Sequence, residues 1–456
     1  MLHLFLSACA PSLPGPTINL TVNPREVIRR DADRFVGINL NYIRDADANR
    51  PTARPLREAI QDLGARWLRY PGGEKSDLHR WSLPPYTAPQ STSLKAYADF
   101  PGTRMDFDAF MRLVHYVKAE PYLVVSYDRP DRSGLSEAEH LADAVAWVKY
   151  ANRTKRYGVR YWEIGNENWH NATSSPEAMA RVVQRFSAAM KAVDPTIRVG
   201  ASGNNREWWD RFLPEAAASL DFISLSNYSA WDFGGYARYT KPPLPDLQGG
   251  VRDAVDAARR QSPARPLEVI VTETNSKDYA PNGWTDENSM GHALVSFDLF
   301  GGALHQPGVT SAMLWTTRWM EQKPATSQVW YALDDQNKIL AAGRAVALWG
   351  RFALPWLVTV TGGTDSVAAY ATVSPRSDRF TVWIVNRSLE SANVSVRVLD
   401  SPNLSRGTVQ VLTGTGPNDI APTFGPAQSV AVKDGALPLM DCPPVSISVI
   451  RFQSRN

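Results

Sequence analysis

The sequence has few of the residues that build disulfide frameworks or metal sites. Its 456 residues include only two cysteines, Cys9 and Cys442, which lie near opposite ends of the chain. We therefore expect neither a disulfide framework nor a thiolate metal site. The seven histidines show no H-x-H or H-E-x-x-H spacing. The sequence thus predicts no metal site and no cofactor.

Long apolar runs and clusters of one charge are also missing. No run of 18 or more apolar residues occurs, so a transmembrane helix is not expected. Lys and Arg number 49 against 46 Asp and Glu, and the basic residues do not cluster, which argues against a nucleic-acid partner. A G-x-G-x-x-G motif is absent as well, which disfavours a dinucleotide-binding protein. The sequence does not predict the oligomeric state.

Residues 1–16 resemble the leader and linker of an exported protein. A short apolar run is followed by small residues, and Leu-Ser-Ala-Cys at 6–9 resembles a bacterial lipoprotein processing site with Cys9 as the lipidated residue. The basic segment that usually precedes such a run is missing and the apolar run is short, so either the start is placed too late or this segment is only a ragged terminus. The expected location is periplasmic, outer-membrane-anchored or extracellular.

Residues 31–354 alternate between strand-like and helix-like segments. Short apolar, β-branched and aromatic runs alternate with amphipathic stretches. The candidate strands are 35–40, 67–70, 122–126, 161–165, 197–201, 222–226, 269–273 and 312–316. Eight such repeats over about 320 residues are typical of a (β/α)₈ TIM barrel, and they fit an open doubly wound sheet less well.

The sequence pattern changes after Pro355. Residues 355–456 form short β-rich runs separated by Gly, Pro, Asn and Asp, which predicts a C-terminal β-sandwich domain. Residues 17–30 contain an alternating run ahead of the first barrel strand. We expect this N-terminal strand to complete the sandwich.

In a TIM barrel the active site lies where the strands end, so polar residues at strand ends are the candidates. These residues form a mixture of carboxylates, amides, aromatics and arginine that suits a neutral, hydroxyl-rich ligand. The candidate substrate-binding residues are Asn166, Arg69, Tyr228, Trp315, Asn227, Glu74, Asp128 and His170.

Two strand-end glutamates could cleave a glycosidic bond. Such cleavage needs one carboxyl group that protonates the leaving oxygen and a second that attacks the anomeric carbon or activates water. Glu167 is the predicted acid/base and Glu273 the predicted nucleophile. A nucleophile must stay ionised, so a donor should lie beside Glu273, and Arg69 and Tyr228 are the candidates. If both assignments hold, the two carboxyls should lie about 5–5.5 Å apart, the spacing for retention of configuration.

Other readings of these carboxylates stay open. A strand-end Glu is often a solvated loop residue. Glu163 shares a strand face with Glu167 and is expected deeper in the barrel as a structural carboxylate, where Arg69 could pair with it instead. A non-catalytic surface carbohydrate-binding protein on a degenerate barrel would keep the aromatics without the reaction. An inverting glycosidase would hold its carboxyls well beyond ~6.5 Å apart.

The motifs resemble those of clan A of the retaining glycoside hydrolases. Trp-Glu-Ile-Gly-Asn-Glu at 162–167 is similar to that clan's acid/base motif, and Val-Thr-Glu-Thr at 271–274 to its nucleophile motif. Leu-Arg-Tyr-Pro-Gly-Gly at 68–73, followed by Arg-Trp at 80–81, resembles α-L-arabinofuranosidases, with the β-xylosidase and iduronidase group a close second. The resemblance implies a retaining hydrolase of plant or algal poly- or oligosaccharides.

The chain departs from this pattern on strand six. Those families usually place a His two residues before the strand-six Tyr, whereas here Ser226 and Asn227 precede Tyr228. The sugar and its linkage are therefore left open, as is exo or endo action. Basic residues near the rim would suit an anionic sugar. They are Lys75, Arg129, Arg238, Lys277 and Arg318.

Overall fold

The structure is a computed structural model that describes residues 17–170, 174–228, 233–261, 264–280, 284–320, 324–401 and 404–454, with the side chain of Ser405 excepted. The leader-like residues 1–16, including Cys9, lie outside the described residues, so export and lipidation stay predictions. Every described helix is too short or too polar to cross a bilayer.

The N-terminal part of the chain alternates strands and helices as the sequence predicts. Its strands are β1 (Ile18–Arg29), β2 (Val36–Asn39), β3 (Trp67–Tyr70), β4 (His79–Arg80), β5 (Thr92–Ser93), β6 (Glu120–Val125), β7 (Tyr161–Ile164), β8 (Arg198–Ser202), β9 (Phe222–Tyr228), β10 (Glu268–Asn275) and β11 (Val309–Leu314). Its helices are α1 (Leu56–Leu63), α2 (Phe107–Val117), α3 (Pro130–Ser133), α4 (Glu137–Val148), α5 (Pro176–Val193), α6 (Arg206–Ala216), α7 (Tyr236–Tyr239), α8 (Gly249–Gln261), α9 (Met290–His305) and α10 (Ala341–Phe352).

Eight parallel strands close into a barrel in the order β2, β3, β6, β7, β8, β9, β10 and β11, and β11 pairs with β2. The predicted (β/α)₈ barrel is confirmed. Local signals set several helix ends. Ser136 and Glu139 form a capping box at the start of α4, which satisfies backbone N–H groups that the helix itself leaves unpaired.

The second domain is a mostly antiparallel β-sandwich. Its strands are β12 (Trp356–Thr361), β13 (Val367–Val373), β14 (Arg379–Asn386), β15 (Ala392–Val398), β16 (Leu404–Thr413), β17 (Thr423–Phe424), β18 (Gln428–Ala431), β19 (Met440–Cys442) and β20 (Ser446–Ser454). Strand β1 lies between β12 and β15. The expected contribution of the N-terminal strand to the sandwich is confirmed.

The sandwich packs against α9 and α10 through aromatic rings. Trp349 of α10 stacks on Phe297 of α9 at 4.7 Å between ring centroids, and Trp383 of β14 lies 4.6 Å from Trp349. Helix α9 is apolar on nearly all sides because it is covered by the barrel strands on one side and by the sandwich on the other.

A buried ion pair also joins the two domains. Arg387 of the sandwich donates to Asp298 of α9 at 2.8 Å, and the Tyr370 hydroxyl donates to the second carboxylate oxygen at 2.7 Å. Tyr239 donates to Asp298 as well. The four side chains therefore satisfy one another's hydrogen bonds and charges where the two domains meet.

Replacing Arg387 with Met should destabilise the protein, because it leaves the Asp298 carboxylate buried without its cation. We expect a loss of about 3 kcal/mol in the free energy of unfolding, measured by urea denaturation. Arg376→Met, which removes an exposed arginine from the same domain, is the control and should change stability little. Equal stability of the two variants would show that the ion pair does not hold the domains together.

Candidate active site

A cluster of buried polar side chains fills the carboxyl end of the barrel. Glu273 near the end of β10 is 4% exposed. Its Oε1 accepts a hydrogen bond from Arg69 Nη1 at 2.8 Å, and its Oε2 accepts one from the Tyr228 hydroxyl at 2.7 Å. Both donors suggested by the sequence contact this carboxylate, so a negative charge on Glu273 is paired on both oxygens.

Arg69 of β3 connects several members of the cluster. Besides Glu273, its guanidinium donates to Glu163 at 2.8 and 3.2 Å, to Asn39 Oδ1 at 3.0 Å and to Asn166 Oδ1 at 2.7 Å. The two alternatives for Arg69, a contact with Glu273 or with Glu163, are both realised. A fully engaged, buried guanidinium fixes the orientation of every side chain it touches.

Glu163 lies below the rim, as strand alternation predicts. Its side chain is completely buried and accepts hydrogen bonds from Arg69 and from the Ser224 hydroxyl. A carboxylate so enclosed has no free path to a substrate. Glu163 therefore balances the charge of Arg69 from inside the barrel.

The turn after β7 presents Glu167. Gly165 adopts φ +65°, and a Cβ there would lie 2.2 Å from the Asn168 amide nitrogen, so glycine is required. The Asn166 backbone N–H donates to the buried Asp77 at 2.7 Å. Glu167 itself has φ +43°, a left-handed conformation that is strained for a side-chain-bearing residue and often marks functional sites.

The surroundings of Glu167 favour its protonated form. Burial, followed by the charge of Glu273, raises the pKa of Glu167 to about 8, against the opposing effects of a Ser226 hydrogen bond and of Arg69. A buried carboxyl that favours its protonated form can serve as a proton donor, and Glu167 stands in this way next to the Glu273 carboxylate that Arg69 and Tyr228 contact.

A buried lysine lies next to this cluster. Lys75 is fully buried, and its Nζ donates to the Gly72 carbonyl at 2.6 Å. The ammonium lies 5.0 Å from the ring centroid of Trp315 and 4.6 Å from that of Trp319. Burial lowers the pKa of Lys75 to about 7, although the charge of Glu273 opposes the shift. Lys75 is one of the predicted rim cations, and its ammonium lies within the electrostatic reach of Glu273.

Trp315 packs tightly at the end of β11. Its indole rests on Gly73, where an added Cβ would lie 1.9 Å from the ring. The Trp315 side chain faces Lys75 and Trp319, and the residue is 7% exposed. It forms part of the wall of the site, and its predicted role as a sugar platform stays a prediction.

Four of the predicted substrate-binding residues lie outside the cluster. Asn227 turns away from the barrel interior, because neighbouring strand residues point to opposite faces, and its amide donates to the Leu247 carbonyl. Glu74 is exposed and Asp128 is buried, and both pair with Arg132, at 3.4 and 3.3 Å.

The fourth of these residues, His170, is exposed on the loop after β7. Its backbone N–H donates to the Glu167 carbonyl at 2.7 Å, so this contact with Glu167 runs through the main chain.

The remaining rim cations have local partners. Arg318 is buried and pairs with Asp45 at 2.7 Å. The other three bond to neighbouring surface groups, namely Arg129 to Asp131, Arg238 to the Pro243 carbonyl and Lys277 to Asp286. Within the described ranges, no group of three or more His, Cys, Asp or Glu side chains is arranged to hold a metal ion.

Asn39 and Tyr279 also lie at the cluster, although neither is among the residues predicted from the sequence. Asn39 ends β2 and contacts Arg69. It stands at a strand end and could have been found by the same rule that found the others. Tyr279 lies 5.7 Å from Tyr228, edge to face, and burial followed by the charges of Glu273 and Glu167 raises its pKa. Its loop position gave no signal in the sequence.

Comparison with known proteins supports the resemblance. No protein-family model matches the chain. A probable α-L-arabinofuranosidase C of Aspergillus clavatus is 25% identical over 194 residues, which are 38% of this chain and 35% of that protein. An intracellular exo-α-(1→5)-L-arabinofuranosidase of Streptomyces lividans is 25% identical over 195 residues, 38% of this chain and 29% of that protein. The matches thus span about a third of these relatives.

Solved structures match over nearly the whole chain. An α-L-arabinofuranosidase from Thermotoga maritima in complex with arabinose has a TM-score of 0.75 at 19% identity, covering 95% of this chain and 99% of that one. A family 51 α-L-arabinofuranosidase from Bifidobacterium longum has a TM-score of 0.74 at 17% identity, covering 96% and 99%. The resemblance to arabinofuranosidases is confirmed, and the structures share the fold.

Proposed function

We propose that the protein is a retaining glycoside hydrolase that removes α-L-arabinofuranosyl residues from plant poly- or oligosaccharides. The observation that carries the proposal is the pair formed by Glu273, which accepts hydrogen bonds from Arg69 and Tyr228, and Glu167, whose pKa is raised to about 8. The names of the relatives supply the sugar.

In the proposed first step, a Glu273 oxygen attacks the anomeric carbon while Glu167 donates its proton to the leaving oxygen. The glycosidic bond breaks, and a glycosyl ester forms on Glu273. This ester removes the negative charge of Glu273, so the pKa of Glu167 falls and its carboxylate can act as a base. In the second step, Glu167 takes a proton from water, the water oxygen attacks the anomeric carbon, and Glu273 leaves as a carboxylate. Two inversions give net retention.

Arg69 and Asn166 have positioning and binding roles in this proposal. Arg69 donates hydrogen bonds to Glu273 and to the side-chain oxygen Oδ1 of Asn166. Because Oδ1 accepts from Arg69, the other end of the Asn166 amide, Nδ2, is the hydrogen-bond donor. We assign this donor to the sugar 2-hydroxyl, a contact that strengthens as positive charge develops at the anomeric carbon.

A panel of 4-nitrophenyl glycosides tests the sugar. We expect hydrolysis of the α-L-arabinofuranoside to exceed that of the β-D-xyloside and the α-L-iduronide, with an arabinose product whose first-formed anomer retains the α configuration in NMR spectra. Formation of the β anomer first would indicate an inverting enzyme. Binding of arabino-oligosaccharides without hydrolysis would favour the non-catalytic alternative.

A further inference from the structure

One face of the sandwich is apolar at one end of its strands and basic at the other end. The face that packs on α9 and α10 carries Trp383 and Val385 from β14 and Ile447 and Val449 from β20. Side chains alternate along a strand, so the same face continues through Thr381 to Arg379 on β14 and directly to Arg451 on β20. The apolar surface that holds the barrel therefore continues as a basic surface.

The pairing of the strands brings three arginines together there. Arg379 of β14 and Arg406 of β16 both pair with Gln453 of β20, from opposite sides. Their Cα atoms are therefore roughly 10 Å apart, or two interstrand spacings. Arg451 precedes Gln453 by two residues and shares its face. Helix α10 ends at Phe352, so it leaves this part of the sheet uncovered.

A groove of about 880 Å³ lies between the end of α10 and this sheet. Four arginines line it, Arg351, Arg379, Arg406 and Arg451, and its lining contains no Asp or Glu. We call it the arginine groove. Four cations in one groove without a lining carboxylate would attract an anionic ligand.

Within the described residues, none of these four arginines forms an ion pair, and Arg451 donates instead to the neutral side-chain oxygen of Gln410 at 3.4 Å. The sequence neighbour Asp378 accepts a hydrogen bond from the Ser374 hydroxyl, and this bond, with a smaller contribution from the charge of Arg379, lowers the pKa of Asp378. Arg351 and Arg451 lie 5.6 and 5.3 Å from the ring of Phe352. Two guanidinium groups held on one aromatic ring are partly preorganised for an anion.

We propose that the arginine groove is a non-catalytic binding site for a carboxylate-bearing stretch of polysaccharide. Guanidinium groups bind carboxylates through two parallel hydrogen bonds, and the hydroxyls of Thr408 and Ser429 in the lining suit sugar hydroxyls. A single-stranded nucleic acid would require free aromatic faces for base stacking, and Phe352 is already covered by two arginines.

The groove lies away from the proposed active site. Helix α10 follows β11 and runs back toward the opposite end of the barrel, and Gly350 near its end contacts Gly64, just before β3. Since the reaction centre is at the carboxyl ends of the strands, the groove would anchor a polymer without touching the cleaved bond. The proposal rests on the proposed function only in taking polysaccharide as the ligand class.

Affinity electrophoresis in native gels that contain polygalacturonate tests the proposal. We expect the polymer to retard the wild-type protein, and fully methyl-esterified polygalacturonate, which has the same backbone without charge, not to retard it. In Arg379→Gln/Arg406→Gln the Kd should rise roughly tenfold, since two charge-assisted contacts are lost. Arg57→Gln/Arg397→Gln, with the same change in net charge at exposed arginines outside the groove, should bind like the wild type.

Several outcomes would overturn the proposal. These are no retardation of the wild type by polygalacturonate, equal retardation by the esterified polymer, or equal weakening in both double variants. Binding of single-stranded DNA as tight as that of polygalacturonate, and lost in the same variant, would assign the groove to nucleic acid. Hydrolysis of the aryl arabinofuranoside should be unchanged in both variants, which separates this test from that of the proposed function and shows that the variants fold. The comparison of the two polymers on the wild type needs no variant.

Discussion

Replacing Glu273 with alanine should lower kcat/KM for an aryl α-L-arabinofuranoside by roughly 10⁴-fold or more, because the covalent route loses its nucleophile. The variant keeps Glu167 as proton donor, and Arg69 keeps Glu163 and Asn166 as partners. Protein folding should therefore survive, which the melting temperature checks. Steady-state kinetics with an activated aryl leaving group provides the measurement.

Azide should partly restore the rate of Glu273→Ala. The small anion fits the space left by the carboxylate and attacks the anomeric carbon once, so the product is a glycosyl azide of inverted configuration. Glu74→Ala, which removes an exposed glutamate from the neighbouring rim, is the matched control and should keep near-wild-type activity. A near-wild-type rate in Glu273→Ala would refute the assignment.

Glu167→Gln should show a loss that depends on the leaving group. General acid catalysis contributes roughly 10²–10⁴-fold, and that contribution matters most for leaving groups that need protonation. We expect a large fall in kcat/KM for an arabino-oligosaccharide and a much smaller one for 2,4-dinitrophenyl α-L-arabinofuranoside. A loss that is equal for both substrates, or as large in Glu74→Gln, would contradict the role of Glu167.

The same variant should change the pH dependence. Since burial and the charge of Glu273 raise the pKa of Glu167 to about 8, and the protonated form is the active one, wild-type kcat/KM should fall as pH rises through about 8. Just below that pH Glu167 is protonated, so the rate is maintained there. Glutamine cannot titrate, so the alkaline decline should vanish in Glu167→Gln when the dinitrophenyl substrate is used.

The periodic parts of the fold could be predicted from the sequence. The barrel strands are short apolar or β-branched runs, and strand-end glutamates at 167 and 273 follow two of them, so both the architecture and the carboxylate pair could be inferred. The sandwich could be predicted because the sequence after Pro355 changes to short β-rich runs separated by turn residues. Even the association of β1 with the sandwich followed from its position ahead of the first barrel strand.

The site was harder to predict because strand-end position does not fix the direction of a side chain. Asn227 and Tyr228 are adjacent in sequence, yet only Tyr228 reaches Glu273. Likewise Glu74 points to solvent while Lys75 is buried beside Trp315. Gly73 has a positive φ, and the Trp315 indole packs against it. Both features depend on tertiary packing, so no local sequence pattern predicts them.

In the proposed reaction Glu273 carries a covalent glycosyl intermediate, and this intermediate can be trapped and located on the chain. A 2-deoxy-2-fluoro α-L-arabinofuranosyl donor with a good leaving group slows both steps, because the fluorine destabilises the oxocarbenium-like transition state. We predict that the intact mass of the wild-type protein increases by one fluoroglycosyl group, and that peptide mapping places this group on Glu273. A label on another residue, or rapid turnover with inverted configuration and no label, would show that Glu273 is not the nucleophile of a retaining reaction.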